Sequence, residues 1–234
     1  FGRHITFQIS DINVWRLFIF AITSIGVYGV VLGGWSSNNK YSLLGGIRSS
    51  AQMISYELAL GLSVIGILLL TGSLRLNDIV EAQFGMWNVF RQPVAFIIFV
   101  VAIFAETNRL PFDLAESEQE LIAGYHIEYS GFKYSMFMLG EYSNIITASA
   151  LIVTLFFGGW AVPFVDVTKL GNLGALLSVV SFAIKTGCFL FLYLLVRWTL
   201  PRFRYDHLMH LGWKILLPIA LLNLLFTAAW MTYL

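Results

Sequence analysis

Cysteine is nearly absent from this chain of 234 residues: Cys188 stands alone, inside the apolar run SFAIKTGCFLFLYLLV. One thiol excludes a disulfide framework, and it excludes an iron–sulfur cluster held by this chain alone, because such clusters take several thiolates. Cys188 is expected as a small residue packed against lipid or a neighbouring helix. Charge is scarce as well. Asp, Glu, Lys and Arg make up 12% of the residues and apolar types 58%; a soluble core of this size cannot hide so much apolar surface. The net charge of +1 argues against nucleic acid as a partner. No glycine-rich phosphate loop and no dinucleotide fingerprint are present, so the chain is not expected to bind a nucleotide by itself. The solvent that fits is a bilayer, and membrane lipid is the first expected partner.

Six segments are long and apolar enough to be read as membrane-crossing helices: about Val14 to Leu32, Met53 to Thr71, Pro93 to roughly Leu110, Tyr134 to Gly158, Leu173 to Trp198, and Trp213 to Tyr233. The fold class expected is all-α, one polytopic transmembrane helical bundle over residues 1–234. Segments 33–52, 106–133 and 197–214 fall on one side by alternation. They carry eight of the fourteen Lys and Arg residues, against five on the other side, which points them to the cytoplasm or matrix. Gly29 and Gly33 form a small-xxx-small step, with Ala59 and Ser63 as further small residues for close helix packing.

Acidic residues are few but concentrated. Seven of the thirteen lie between Phe104 and Tyr142, in FAETNRLPFDLAESEQELIAGYHIEYSGFKYSMFMLGEY. Carboxylates beside lipid are costly, so this crowding calls for a reason. A solvated loop would scatter its polar residues and add lysines; here Glu116, Glu118, Glu120 and Glu128 are answered only by Arg109 and Lys133. On a helix, Glu116 and Glu120 share a face about 6 Å apart. At an effective dielectric near 20 their charges repel by ~2–3 kcal/mol, so the cluster is expected to titrate as a coupled set. A hard cation is the rival occupant, without the calcium-loop pattern to support it.

Other ionisable residues leave two readings open. Glu106 and Arg109 can pair on one helix face before Pro111, with Asp113 opening a new turn, either as a helix-ending salt bridge or as part of a site. Glu57 and Glu141 sit within apolar spans and are expected to face a polar cavity. Lys185 is the one intramembrane cation, either snorkelling or pairing with one of these acids. His207 and His210, beside Asp206, are read as exposed or hydrogen-bonding histidines, with a metal pair as the alternative.

The acidic block resembles the loop of one membrane-protein family: the H-type membrane subunit of respiratory NADH:quinone oxidoreductase (complex I), whose mitochondrial counterpart is numbered 1. Three more blocks match in the right order: GVYGVVLGGWSSNNKYSLLGGIRSSAQMISYE, FFGGW at 156–160, and PRFRYDHLMHLGWKILLP. The resemblance covers nearly the whole chain. It implies two further helices upstream of Phe1, with a Glu-Arg-Lys loop motif not found here, and His207 stands where the family is expected to have glutamine.

By resemblance, this is a subunit that forms part of a quinone tunnel and couples quinone reduction to proton translocation. Arg48, Glu106, Arg109 and Asp113 would line or support the quinone cavity. Glu116, Glu118 and Glu120 would form the charged loop below it, Glu128 would join them in proton coupling, and Glu57 and Glu141 would continue a polar path. Arg202, Arg204 and Asp206 would form the last loop near the redox arm. Ubiquinone or menaquinone would be the substrate, with FMN and iron–sulfur clusters on partner subunits only. Those partners would be the iron–sulfur and quinone-site subunits of the peripheral arm and the small and antiporter-like membrane subunits. The membrane would be a bacterial inner or mitochondrial inner membrane. Rival readings are the related subunit of an ion-pumping hydrogenase or deazaflavin-dependent dehydrogenase, and a stand-alone cation transporter.

Overall fold

The computed structural model describes residues 15–113, 124–162 and 171–233, with side chains described from Phe18 onward. Every regular element among them is helical. Helix α1 (Trp15–Ser36) turns tightly into α2 (Lys40–Thr71); short helices α3 (Leu76–Glu81) and α4 (Asn88–Arg91) lead to α5 (Pro93–Glu106). A 3-10 turn, Gly124–His126, precedes α6 (Gly131–Phe156), and α7 (Gly171–Thr199) follows. The last crossing is α8 (Tyr205–His210), a π turn (Leu211–Leu216) and α9 (Leu217–Tyr233). Pro218 explains the π turn: it has no N–H for the carbonyl of the preceding turn, and widening the helix just before it relieves the mismatch.

Five of these helices are long and apolar enough to cross a membrane, which makes the chain a polytopic helical membrane protein. Three boundaries differ most from the sequence expectation; one is the last crossing, which begins at Tyr205 rather than Trp213. The second span begins at Lys40 rather than Met53, capped by Asn39, whose Oδ1 accepts the Tyr41 N–H at 3.0 Å. Its polar first third (Ser42, Ser49, Gln52) reads as loop but is buried against protein. The third span stops at Glu106, because Asn108 takes a left-handed conformation, φ 50°, that an α-helix cannot continue through. At 14 residues α5 is about 21 Å long, short of a roughly 30 Å hydrocarbon core.

The core lies where α2, α5 and α6 face one another: Tyr56, Leu60, Ile67, Phe99, Ile152, Leu155 and Phe156 are fully buried. The outer faces of α7 and α9 are apolar and exposed, as lipid contact requires. Cys188 is on such an exposed face of α7. Close approach of α1 and α2 rests on Gly34 and Gly46, not on the Gly29–Gly33 step. A Cβ on Gly34 would lie 2.7 Å from the Ser42 carbonyl oxygen, whereas one on Gly29 would meet open space.

Buried amides pin the end of the bundle that holds α3 and α4. Gln83 donates to the Ile79 and Thr154 carbonyls and accepts the Gly158 N–H at 2.9 Å. Asn88 donates to the Leu155 carbonyl, and Gln92 to the Gly66 carbonyl and the Thr227 hydroxyl. Among the described residues Lys185 pairs with no acid. Its ammonium donates to the carbonyls of Phe157, Gly159 and Ala161 at 2.9, 3.1 and 2.7 Å, and lies over the Trp87 ring. Gly158 and Gly159, both at positive φ, turn these end-of-helix carbonyls toward it.

Two outcomes follow. Gly34→Ala should force α1 from α2 at a cost of about 1–3 kcal/mol, read as a lower thermal midpoint of the purified membrane complex. Lys185→Met should leave three carbonyls without their donor and cost roughly 3 kcal/mol, read the same way, with Lys185→Arg losing less.

Candidate functional site

The left-handed turn after α5 decides the geometry of the site. Because the helix stops at Glu106, the next residues fold back beneath it: the Thr107 N–H bonds to the Ile103 carbonyl and the Phe112 N–H to that of Arg109, with a cis Leu110–Pro111 peptide between. Glu106 is thereby held 9% exposed at the end of an apolar helix. The expected Glu106–Arg109 pair does not form. Arg109, carried past the helix end, reaches α6 instead, where its Nε lies 2.6 Å from Glu141 Oε1 and its guanidinium stacks 4.9 Å from the Tyr142 ring.

Glu106 and Glu141 line one cavity of about 540 Å³ between α1, α6 and the end of α5. Phe18, Ile19, Ile22, Met136 and Phe137 give it apolar walls; Thr23, Asn108, Ser143 and Asn144 add polar groups near the carboxylates. It exists because Gly26, Gly29 and Gly140 bring no side chains to the facing helices, and a Cβ at any of them would meet open space. Glu57 on α2, half-buried, is within electrostatic reach of Glu106, and Thr23 is within hydrogen-bonding reach of it. Three carboxylates on three helices thus converge near one apolar slot with one guanidinium among them.

The other expected residues group elsewhere at the same end of the bundle. Arg48 is exposed and lies 4.7 Å over the Tyr205 ring. Asp113 pairs with Arg202 at 3.3 Å, and the Phe203 N–H bonds to the Pro111 carbonyl, so the turn after α5 is tied to the segment before α8. Arg204 and Asp206 pair at 3.0 Å on the exposed surface. Glu128, also exposed, accepts from Asn39 Nδ2 at 2.9 Å, while the neighbouring Tyr129 hydroxyl bonds to Ser36 and the Gly33 carbonyl. His207 and His210 are exposed on α8. Glu116, Glu118 and Glu120 lie outside the described residues.

Sequence reasoning missed Gln52. Its buried amide donates to the Ala105 and Phe112 carbonyls at 2.8 and 2.9 Å and to Asn108 Oδ1 at 3.2 Å. A lone glutamine in a polar stretch gives no signal until the stretch is known to be a buried helix face.

The family model described as NADH dehydrogenase matches residues 1–228. The chain is 53% identical over 231 residues to the NADH-quinone oxidoreductase H subunit of Flavobacterium psychrophilum, covering 97% of this chain and 67% of that protein. To the second of the numbered H subunits of the same enzyme in Geobacter sulfurreducens it is 54% identical over 226 residues, 97% of this chain and 65% of the relative. With the H subunit of Leptospira biflexa it shares 53% over 234 residues, 98% of this chain and 65% of the relative. It therefore spans about two thirds of the length of these curated relatives. A match of this extent means that the chain belongs to the NADH dehydrogenase family.

Proposed function

We propose that this chain is the membrane subunit of an NADH:quinone oxidoreductase that couples reduction of a quinone to proton movement. The observation that carries the reading is the convergence of Glu106 and the Arg109–Glu141 pair on one mostly apolar cavity within the helical bundle. Ionisable side chains in such a setting are costly unless they act, and Glu106 and Glu57 lie within electrostatic reach of each other, as a coupled set requires. Reducing a quinone to quinol takes up two electrons and two protons. In this chain Arg109 balances the charge of Glu141, while Glu106 faces Glu57 and Thr23. A proton arriving at or leaving either carboxylate changes the field at the other.

Glu116, Glu118, Glu120 and Glu128 serve in this reading as the charged loop that answers the quinone. Arg48 and Asp113 support the cavity mouth, and Arg202, Arg204 and Asp206 form the surface that meets the redox arm. Electrons come from FMN and iron–sulfur centres on partner subunits, since Cys188 supplies one thiolate where a cluster takes four. The remaining partners are the other membrane subunits of the complex, in a bacterial or mitochondrial inner membrane.

The intact complex in proteoliposomes tests this. Glu106→Gln should leave assembly and flavin-site electron transfer unchanged while lowering quinone-dependent turnover roughly a hundredfold. Glu116→Gln combined with Glu118→Gln should impair proton pumping with assembly intact. Normal quinone-dependent turnover in Glu106→Gln, or normal pumping in the double variant, would sink the proposal.

A further inference from the structure

Glu106 and Arg109 sit on a turn held partly by its own bonds, Thr107 N–H to the Ile103 carbonyl at 3.0 Å and Phe112 N–H to that of Arg109 at 2.9 Å, and partly from outside. Beyond α5, the Asn108 and Arg109 N–H groups make bonds of 3.4 Å to the Ala105 and Phe104 carbonyls, long for an amide bond. Asn108 has left the helical conformation altogether. The contacts that join the turn's start, middle and end to one another come from α2. Gln52, 0% exposed, places one Nε2 atom against the carbonyls that open and close the turn, those of Ala105 and Phe112, and against the Asn108 side chain at its middle. Asn108 passes the contact on, its Nδ2 donating to Ser49 Oγ on α2 at 3.0 Å. The three acceptors bracket the two ionisable residues, Glu106 following the first and Arg109 following Asn108.

We infer that Gln52 is a positioning residue whose carboxamide sets where the Glu106 carboxylate and the Arg109 guanidinium stand relative to Glu141. The inference rests on the proposed function and adds the group on which its geometry depends. A space-filling role would be met by any side chain of this length. The amide is needed because two backbone carbonyls and an amide oxygen, all buried, converge where an apolar side chain has nothing to donate. Without that donor the turn relaxes toward other partners, and Glu106 and Arg109 move with it. Proton transfer needs heavy atoms within hydrogen-bond reach, so a shift of an ångström at the turn reaches the chemistry although Gln52 touches none of the reacting groups.

The test uses the intact complex with Gln52→Met, which keeps length and loses both N–H groups, and Gln52→Glu, which turns an acceptor toward the three oxygens. Readouts are the yield of assembled complex, kcat and KM for quinone, the pH profile of kcat, and protons moved per NADH, with Glu106→Gln as benchmark. The expected result is an assembled Gln52→Met complex with KM little changed, kcat down at least roughly tenfold, and a pH profile displaced toward that of the benchmark. Gln52→Glu is expected to fall further. An assembled Gln52→Met complex with normal kcat and pH profile overturns the inference. If neither variant assembles, Ser49→Ala, which loosens only the Asn108 arm, decides it: a displaced profile supports the role and an unchanged one overturns it. The outcomes separate the two claims, because an unaffected Glu106→Gln complex sinks the proposed function itself, whereas an affected one beside a normal Gln52→Met sinks only the positioning role.

Discussion

Inside a bilayer no water waits to accept or donate a hydrogen bond, and each polar atom there must find a partner within the protein. The bundle is organised around that constraint. Where α6 ends, Lys185 meets three carbonyls that the end of the helix leaves free. Where the chain crosses from α3 to α5, three amide side chains take up the carbonyls of neighbouring helices. Packing of α2 against α1, α5 and α9 supplies the bulk of contact, and these polar joints add fixed points between neighbouring helices.

The same constraint links the short fifth helix to the cavity. A crossing segment that stops after 14 residues leaves irregular backbone at membrane depth, tolerated only where protein covers it or where it borders a polar space. Here both hold. Gln52 and Asn108 cover the backbone on the α2 side, and on the other side the turn opens onto the slot lined by Glu106 and Glu141. A full-length α5 would have filled that space with its own last turn.

Much of this was legible in the residues. Apolar runs marked the five crossing helices and the shorter apolar α5, and the crowding of acids marked the region of the candidate cavity, because both signals are compositional. The partners of the charges were not. Glu106 and Arg109 are three apart and read as a helical pair, yet one left-handed asparagine sends the arginine to another helix. Lys185 read as a partner for an acid because chain order hides where helix ends lie in space. Gly29 read as a packing glycine, and the structure uses its missing side chain to leave room instead. Tertiary proximity, not local pattern, settles each of these.

The length of α2 has a mechanical consequence. Thirty-two residues make a rod of about 48 Å, well beyond a hydrocarbon core of roughly 30 Å. The excess carries Arg48, stacked on Tyr205, out toward the segment before α8, while Gln52 grips the turn lower down and Glu57 lies deeper still. A stiff rod pivots as a whole. Any tilt imposed on its protruding tip by a neighbour docked there swings the glutamine and the glutamate below it through proportionate arcs, so one helix can transmit displacement from the aqueous face to the buried acids.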